Sequence, residues 1–388
     1  MKTFMFPGQG SQAKGMGATL FDGFRELTQQ ADEILGYSIK ELCLEDPKGQ
    51  LNKTEFTQPA LYCVNALAYY EKSAGSSSKP DFVAGHSLGE FNALLAAECF
   101  DFATGLQLVQ KRGALMGQIA NGAMAAIVNA TKEEIEDILN KNGLSNIDLA
   151  NYNTPSQIVI SGLADEIDKA GHLFQQGKML YFPLKTSGAF HSRFMHPVQQ
   201  EFRKFLATFE LYDPKIPVIA NVTARPYQKS AILENLASQL ASTVRWSESI
   251  QYLMGFGTRR GVTMQFEEAG HGDVLTRLVQ TIKRQTPAAV LEMIAKEDEQ
   301  AEAAAADRGP QLPGSGPGSS ELGRPTVAID KVTLWNKQHP VGTRVKSLLV
   351  DYADLETRTE AVVLFGHRAA VYMKGYNGYF DLDEVVPL

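Results

Sequence analysis

Cysteine is scarce in this chain: Cys43, Cys63 and Cys99 are the only three in 388 residues. An odd, small number set among apolar neighbours excludes a disulfide framework or a cysteine metal cluster and suits packed thiols in a reducing compartment. No metal site is expected. An excess of one charge is lacking as well, because 37 basic and 44 acidic residues are interspersed and leave a net charge of −7. That balance offers neither a nucleic-acid-binding surface nor a polybasic membrane patch, so soluble partners are expected, with no nucleic acid and no membrane. Long apolar runs are missing too. Nothing approaches the roughly 18 apolar residues of a spanning helix, and the segment Met1 to Pro7 lacks the apolar stretch of a signal peptide. The expected location is cytoplasmic. No long internal repeat is apparent, and the length exceeds one average domain, so two or more distinct folding units are expected.

What is present centres on Pro80-Asp-Phe-Val-Ala-Gly-His-Ser-Leu-Gly-Glu90, which reads as a buried strand breaking into a helix at Ser87. Gly85 and Gly89 flank the serine in G-x-S-x-G spacing, where missing side chains let the backbone turn tightly and leave the hydroxyl clear. The run from Glu90 to Phe100 has helical apolar spacing, so the amides of its first turn would point toward any charge forming on that oxygen. This is a nucleophile's setting, although the same spacing also occurs in strand-to-helix turns whose serine is incidental.

Upstream, Thr3 to Phe6 reads as a short buried strand running into the glycine-rich loop Pro7-Gly-Gln-Gly-Ser11. Helical patterns follow around 18–35, 56–72 and 101–119, so strand, helices, strand and helix together predict an α/β domain with a parallel sheet. Between Ala123 and Lys185 the rhythm becomes β-α-β-β-α-β, which predicts a ferredoxin-like subdomain inserted into the larger one. The larger domain resumes with Thr186-Ser-Gly-Ala-Phe-His-Ser-Arg193. From about Pro287 to Pro325 the composition collapses into Glu, Ala, Gly, Pro and Ser, which reads as a linker whose first half can extend a helix. Beyond it, β-branched and aromatic residues with a Tyr376-Asn-Gly378 turn signal predict a small, mostly β module. The expected division is therefore an α/β core (1–122 and 186–286), an insertion (123–185), a linker (287–325) and a β module (326–388).

A serine nucleophile needs a base, and of seven histidines His191 is the best placed, leading into a helix where the chain re-enters the large domain. Taken alone, a histidine in that position is more often structural than catalytic. His86 adjoins the serine and could line its pocket. The segment between serine and histidine shows no evident Asp or Glu placed to orient an imidazole, so a backbone or amide carbonyl is left as the orienting group. That gap also argues against a plain serine esterase or lipase.

Taken in order, Phe6-Pro-Gly-Gln-Gly-Ser-Gln12, Thr57-Gln-Pro-Ala-Leu61, Gly85-His-Ser-Leu-Gly-Glu90, Lys111-Arg-Gly113, Asn151-Tyr-Asn-Thr-Pro-Ser-Gln157, Ala189-Phe-His-Ser192 and Asn221-Val-Thr-Ala224 resemble successive signatures of one family. It is the malonyl-CoA:acyl-carrier-protein transacylase family, and the likeness is greatest to the free-standing acyltransferases that serve polyketide synthases. The resemblance covers about residues 1–285 and implies a hydrolase-like α/β core with a ferredoxin-like insertion; the tail lies outside it. It implies that Ser87 carries the acyl group, that His191 is its base, and that the main-chain carbonyl of Gln239 orients the histidine. The amides of Gln9 and Leu88 would form the oxyanion hole, Arg112 would pair with the malonyl carboxylate, Phe190 would limit acyl size, and Gln58 and His86 would line the pocket. Malonyl-CoA is the implied substrate, with no bound cofactor and with a phosphopantetheinylated acyl carrier protein as acceptor; the C-terminal module, outside the resemblance, reads either as a stabilising appendage or as a unit that docks a polyketide synthase. Fatty-acid biosynthesis is the other pathway that uses such chemistry. Two further readings are an acyl hydrolase of the same superfamily, against which a buried Arg112 argues, and a non-catalytic partner-binding protein. Two departures from the family pattern stand out: His271 in Glu268-Ala-Gly-His-Gly272, and the stretch from Met254 to Met264, expected to contain a longer loop.

Overall fold

A computed structural model describes residues 1–75, 79–186, 188–228, 231–306, 325–347, 355–364, 368–374, 379–382 and 385–388. The chain divides into two compact units, Met1–Gly309 and Pro310–Leu388. Among the described residues of the first unit eight strands occur, β1 (Lys2–Phe6), β2 (Phe82–Gly85), β3 (Gly122–Val128), β4 (Asp148–Thr154), β5 (Gln157–Leu163), β6 (Leu180–Pro183), β7 (Val218–Ile219) and β8 (Gln265–Glu268).

Four of them form a parallel sheet in the order β7-β2-β1-β8. The apolar sequences of β1 and β2 follow from this, since a parallel strand covered on both faces has no solvent side on which to place polar residues. Phe6 lies opposite Gly85 in the register of β1 and β2. Their carboxyl ends are therefore adjacent, so the loop after β1 and the turn after β2 meet at one edge of the sheet, the usual place for a site in such folds. The buried helices Thr54–Ala74, Gly89–Ala96 and Phe102–Gly117 pack around this sheet and supply a large part of the main core.

The other four strands make an antiparallel sheet, β4-β5-β3-β6, with the helices Lys132–Lys141 and Ala164–Gly171 between them in sequence. Thr131 opens the first helix with a capping box: its hydroxyl accepts from the Glu134 amide while Glu134 accepts from the Thr131 amide. Ile127, Ile135, Ile160 and Phe174 give this layer a core of its own. The second helix ends at Gly171, and β7 is only the two residues Val218–Ile219.

Two expectations need correcting. The stretch expected to loop between Met254 and Met264 is mostly helix, Trp246–Arg259, with Thr258 donating back to the Met254 carbonyl. The presumed linker also begins later than 287. Residues Ala288–Ala306 form a helix whose Ile294 is buried against Gly255, while Asp298 accepts from Tyr252 and pairs with Arg259 at 2.8 Å. Alanine- and glutamate-rich sequence favours helix whether or not the helix is docked, so composition alone did not distinguish the two. The Gly- and Pro-rich remainder up to residue 324 lies outside the described residues.

The second unit, expected to be mostly β, opens with a helix, Pro325–Gln338. It continues as β9 (Arg344–Ser347), β10 (Leu355–Glu356), β11 (Val362–Leu364), β12 (Arg368–Tyr372), β13 (Tyr379–Asp381) and β14 (Val385–Pro387). These form two small antiparallel sheets, β10-β9-β14 and β11-β12-β13, over a core that includes Val345, Leu355, Val371 and Met373. The expected Tyr376-Asn-Gly378 turn lies outside the described residues.

Candidate active site

Ser87 occupies the turn between β2 and the helix Gly89–Ala96 with a φ of 50°, a left-handed conformation that side chains seldom adopt. The turn is possible because the backbones touch: a Cβ on Gly89 would lie 2.0 Å from the Phe6 carbonyl oxygen. Asn221, just past β7, fixes it from the other side by accepting from the Ser87 amide at 2.7 Å and donating to the Gly85 carbonyl at 2.7 Å. Since the Ser87 amide is taken, the next free backbone donor at the turn is that of Leu88, the N-cap residue, which has no intrahelical acceptor. The loop after β1 lies against the same turn, where a Cβ on Gly8 would approach the His86 carbonyl oxygen to 2.3 Å. Gln9 follows directly, its side chain donating to Thr54 at 3.3 Å.

His191, also at positive φ (58°), brings Nε2 to 2.8 Å from the Ser87 hydroxyl oxygen. Its Nδ1 lies 2.8 Å from the main-chain carbonyl of Gln239, which can only accept. Nδ1 therefore carries the proton, and Nε2 presents a lone pair to the serine hydroxyl. Burial and then the Arg112 charge push the His191 pKa down to about 3, so the imidazole is neutral in the resting site.

Arg112, on the helix Phe102–Gly117, is 1% exposed. Nη1 donates to Gln58 Oε1 at 2.7 Å, and Nη2 donates to Gln239 Oε1 at 2.7 Å and to the Ser87 hydroxyl at 3.1 Å. The guanidinium also lies over the Phe91 ring. Burial lowers its pKa to about 10, and Glu90 acts in the opposite direction. A fixed cation beside a nucleophile is the arrangement a substrate carboxylate needs.

Ser87, His191, Gln239, Arg112 and Gln58 thus form one connected network, with Leu88 and Gln9 at its edge. His86 turns away from the serine hydroxyl: Nε2 lies 2.9 Å from Asn153 Oδ1 and the ring packs beside Trp246. Phe190 is buried in the main core next to His191. Glu90, Asn221 and Tyr227 were not singled out from sequence. Glu90 is wholly buried and accepts from the Asn221 amide at 3.0 Å, from Tyr227 Oη at 2.7 Å and from Gln239 Nε2. The signal for it was a carboxylate immediately after the second elbow glycine, on a helix that is otherwise apolar apart from Asn92. Among the described residues no group of three or more His, Cys, Asp or Glu side chains is gathered to hold a metal ion, and no helix is long and apolar enough to cross a membrane.

Residues 3–309 match the family described as acyl transferase domain. The polyketide biosynthesis malonyl CoA-acyl carrier protein transacylase PksC of Bacillus subtilis is 55% identical over 290 residues, covering 74% of this chain and 99% of that protein. A crystal structure of a malonyl CoA-acyl carrier protein transacylase from Burkholderia pseudomallei is 62% identical with a TM-score of 0.73, covering 74% of this chain and 99% of the other. A holo type II polyketide synthase acyl-carrier protein in complex with its malonyl-transacylase aligns at 32% identity and a TM-score of 0.68, covering 76% of this chain and 99% of the matched one. With a family match over most of its length and a relative spanned almost end to end, the chain belongs to the acyl transferase family, among its malonyl-CoA:acyl-carrier-protein transacylases.

Proposed function

We propose that the chain moves a malonyl group from malonyl-CoA, through an ester on Ser87, to the phosphopantetheine thiol of an acyl carrier protein in polyketide biosynthesis. The observation that carries this reading is the Arg112 guanidinium, buried and 3.1 Å from the Ser87 hydroxyl. A site for uncharged acyl chains has no use for a buried cation, whose desolvation is costly.

Neutral His191 takes the Ser87 proton as the oxygen attacks the thioester carbonyl. The tetrahedral oxyanion forms against the amides of Gln9 and Leu88. Collapse expels the CoA thiolate, which leaves with the proton from the imidazolium. In the second half His191 deprotonates the carrier's thiol, which attacks the malonyl ester, and the proton returns to Ser87. The Gln239 carbonyl holds the imidazole by Nδ1 without contributing a full charge, so the pair works as a dyad rather than a triad. Arg112, steadied by Gln58 and Gln239, receives the malonyl carboxylate. Phe190 limits the space beside the acyl group, and His86 lines the approach to the turn. No bound cofactor enters the scheme.

The body is read as a hydrolase-like core (1–122 and 186–309) with a ferredoxin-like insertion at 123–185, the latter on the strand order β4-β5-β3-β6. Cytoplasmic location fits the three buried free thiols. The C-terminal unit is assigned to docking a polyketide synthase. Incubation with malonyl-, methylmalonyl- and acetyl-CoA and several carrier proteins, followed by intact-mass analysis, tests the reading. Malonyl should appear on the carrier protein; free malonate without carrier loading would favour a hydrolase.

A further inference from the structure

Glu90 takes no part in the scheme above, yet it is the most deeply enclosed carboxylate beside the site, with no exposed surface. Every group aimed at it is a donor: the Asn221 amide, the Tyr227 hydroxyl and the Gln239 side-chain amide. The charged and titratable groups acting on it are Arg112 and Tyr227; Arg112 reaches it through Gln239 rather than by direct contact. Burial lifts the Glu90 pKa to about 7, while the three donors and Arg112 favour its ionised form.

Gln239 links this carboxylate to the reacting atoms. Its Nε2 gives one hydrogen to Glu90 and the other to the Ser87 carbonyl at 2.8 Å, so its Oε1 must face Arg112 Nη2 at 2.7 Å. An amide that met a second donor at the Glu90 position would turn over and present its own NH2 to the guanidinium, which cannot accept. We infer that Glu90 is a positioning residue for malonyl selectivity: by accepting from Gln239 it fixes the orientation of that amide, which in turn holds the Arg112 fork toward the Ser87 hydroxyl. The link to His191 runs through the main-chain carbonyl of Gln239 and does not depend on the side chain's orientation. The inference rests on the proposed malonyl transfer and predicts an effect confined to acyl groups that bear a carboxylate.

The test compares loading of Ser87 from malonyl-CoA and from acetyl-CoA in the full chain. Glu90→Gln keeps shape and volume but replaces one acceptor with a donor. Malonyl kcat/KM should fall roughly tenfold or more, mainly through KM, while acetyl loading changes by less than about threefold. Gln239→Ala, which removes the side chain through which Glu90 acts, should lower malonyl loading roughly tenfold more than acetyl loading, and the double variant should lose no more than about the larger single loss. Additive losses, or an equal fall for malonyl and acetyl in Gln239→Ala, would overturn the inference even if Glu90→Gln failed to fold. Wild-type protein that takes up no malonyl at all would instead contradict the proposed function.

Discussion

The body and the C-terminal unit treat polar groups in opposite ways. In residues 1–309 two opposite charges, Arg112 and Glu90, are taken inside and surrounded by hydrogen-bond partners from four separate stretches of chain. In residues 310–388 the core is apolar: among the described residues Thr357 is the only buried polar side chain, and the ion pair Lys374–Glu356 stays at the surface. A small domain folds on apolar burial alone and has no surplus stability with which to desolvate a charge. Where a chain does bury one, the site has usually been shaped for something other than stability. The matched acyl transferase region ends at 309, at the same boundary that separates the two units.

If the buried polar groups of the body exist for chemistry, removing them should damage turnover far more than removing the second unit. His191→Ala should slow self-malonylation by roughly 10²- to 10⁴-fold, the range for a positioned acid–base group. A loss below about tenfold in single-turnover labelling would mean the imidazole is not the base. Arg112→Ala should weaken malonyl transfer by about 2–5 kcal/mol, because an unpaired carboxylate is left in a dry site, while acetyl transfer is kept or raised. Equal loss for both acyl groups would make the arginine a structural cation.

A third test uses pH. His191 is held at about 3, well below the ordinary histidine value of 6.5. Its neutral form therefore persists through the whole range in which a free histidine titrates. Acetyl loading, in which no substrate carboxylate pairs with Arg112, should stay nearly level from about pH 5.5 to 8 rather than falling as pH drops through 6.5. A midpoint near 6.5 would show a far more exposed imidazole in the working enzyme. The smallest expected effect comes from ending the chain at residue 309. Self-malonylation should be unchanged, and only the KM for a cognate carrier or synthase should rise, through loss of effective concentration. An unchanged acceptor KM would remove the docking role, and loss of self-malonylation would mean the second unit supports the body.

Sequence reasoning reached furthest where backbone geometry forces residue choice. The glycines around Ser87, the Gly-rich loop that contains Gln9 and the alternation of β3 to β6 were legible because few residues tolerate those conformations or that pattern. Arg112 and Gln239 became legible only through family resemblance, and His191 stood as no more than a candidate without it, since nothing local says that residues at 87, 112, 191 and 239 converge. Glu90 went unmarked although it stood in the quoted motif: a carboxylate in a first helical turn ordinarily faces solvent and the helix dipole. Two helices were not fully foreseen, Ala288–Ala306 in its docking and Pro325–Gln338 in being helix at all, and they share a cause. Their composition is compatible with more than one structure, and tertiary packing decided between them.

The central claim is that Ser87 carries the malonyl group, and the mass of the intact protein after brief exposure to malonyl-CoA tests it most directly. The wild-type chain should gain one malonyl group, located on the peptide containing Ser87, and should lose it on addition of a holo carrier protein. Ser87→Ala should gain none, since no other hydroxyl or thiol stands on that turn. A malonylated Ser87→Ala protein would contradict the account.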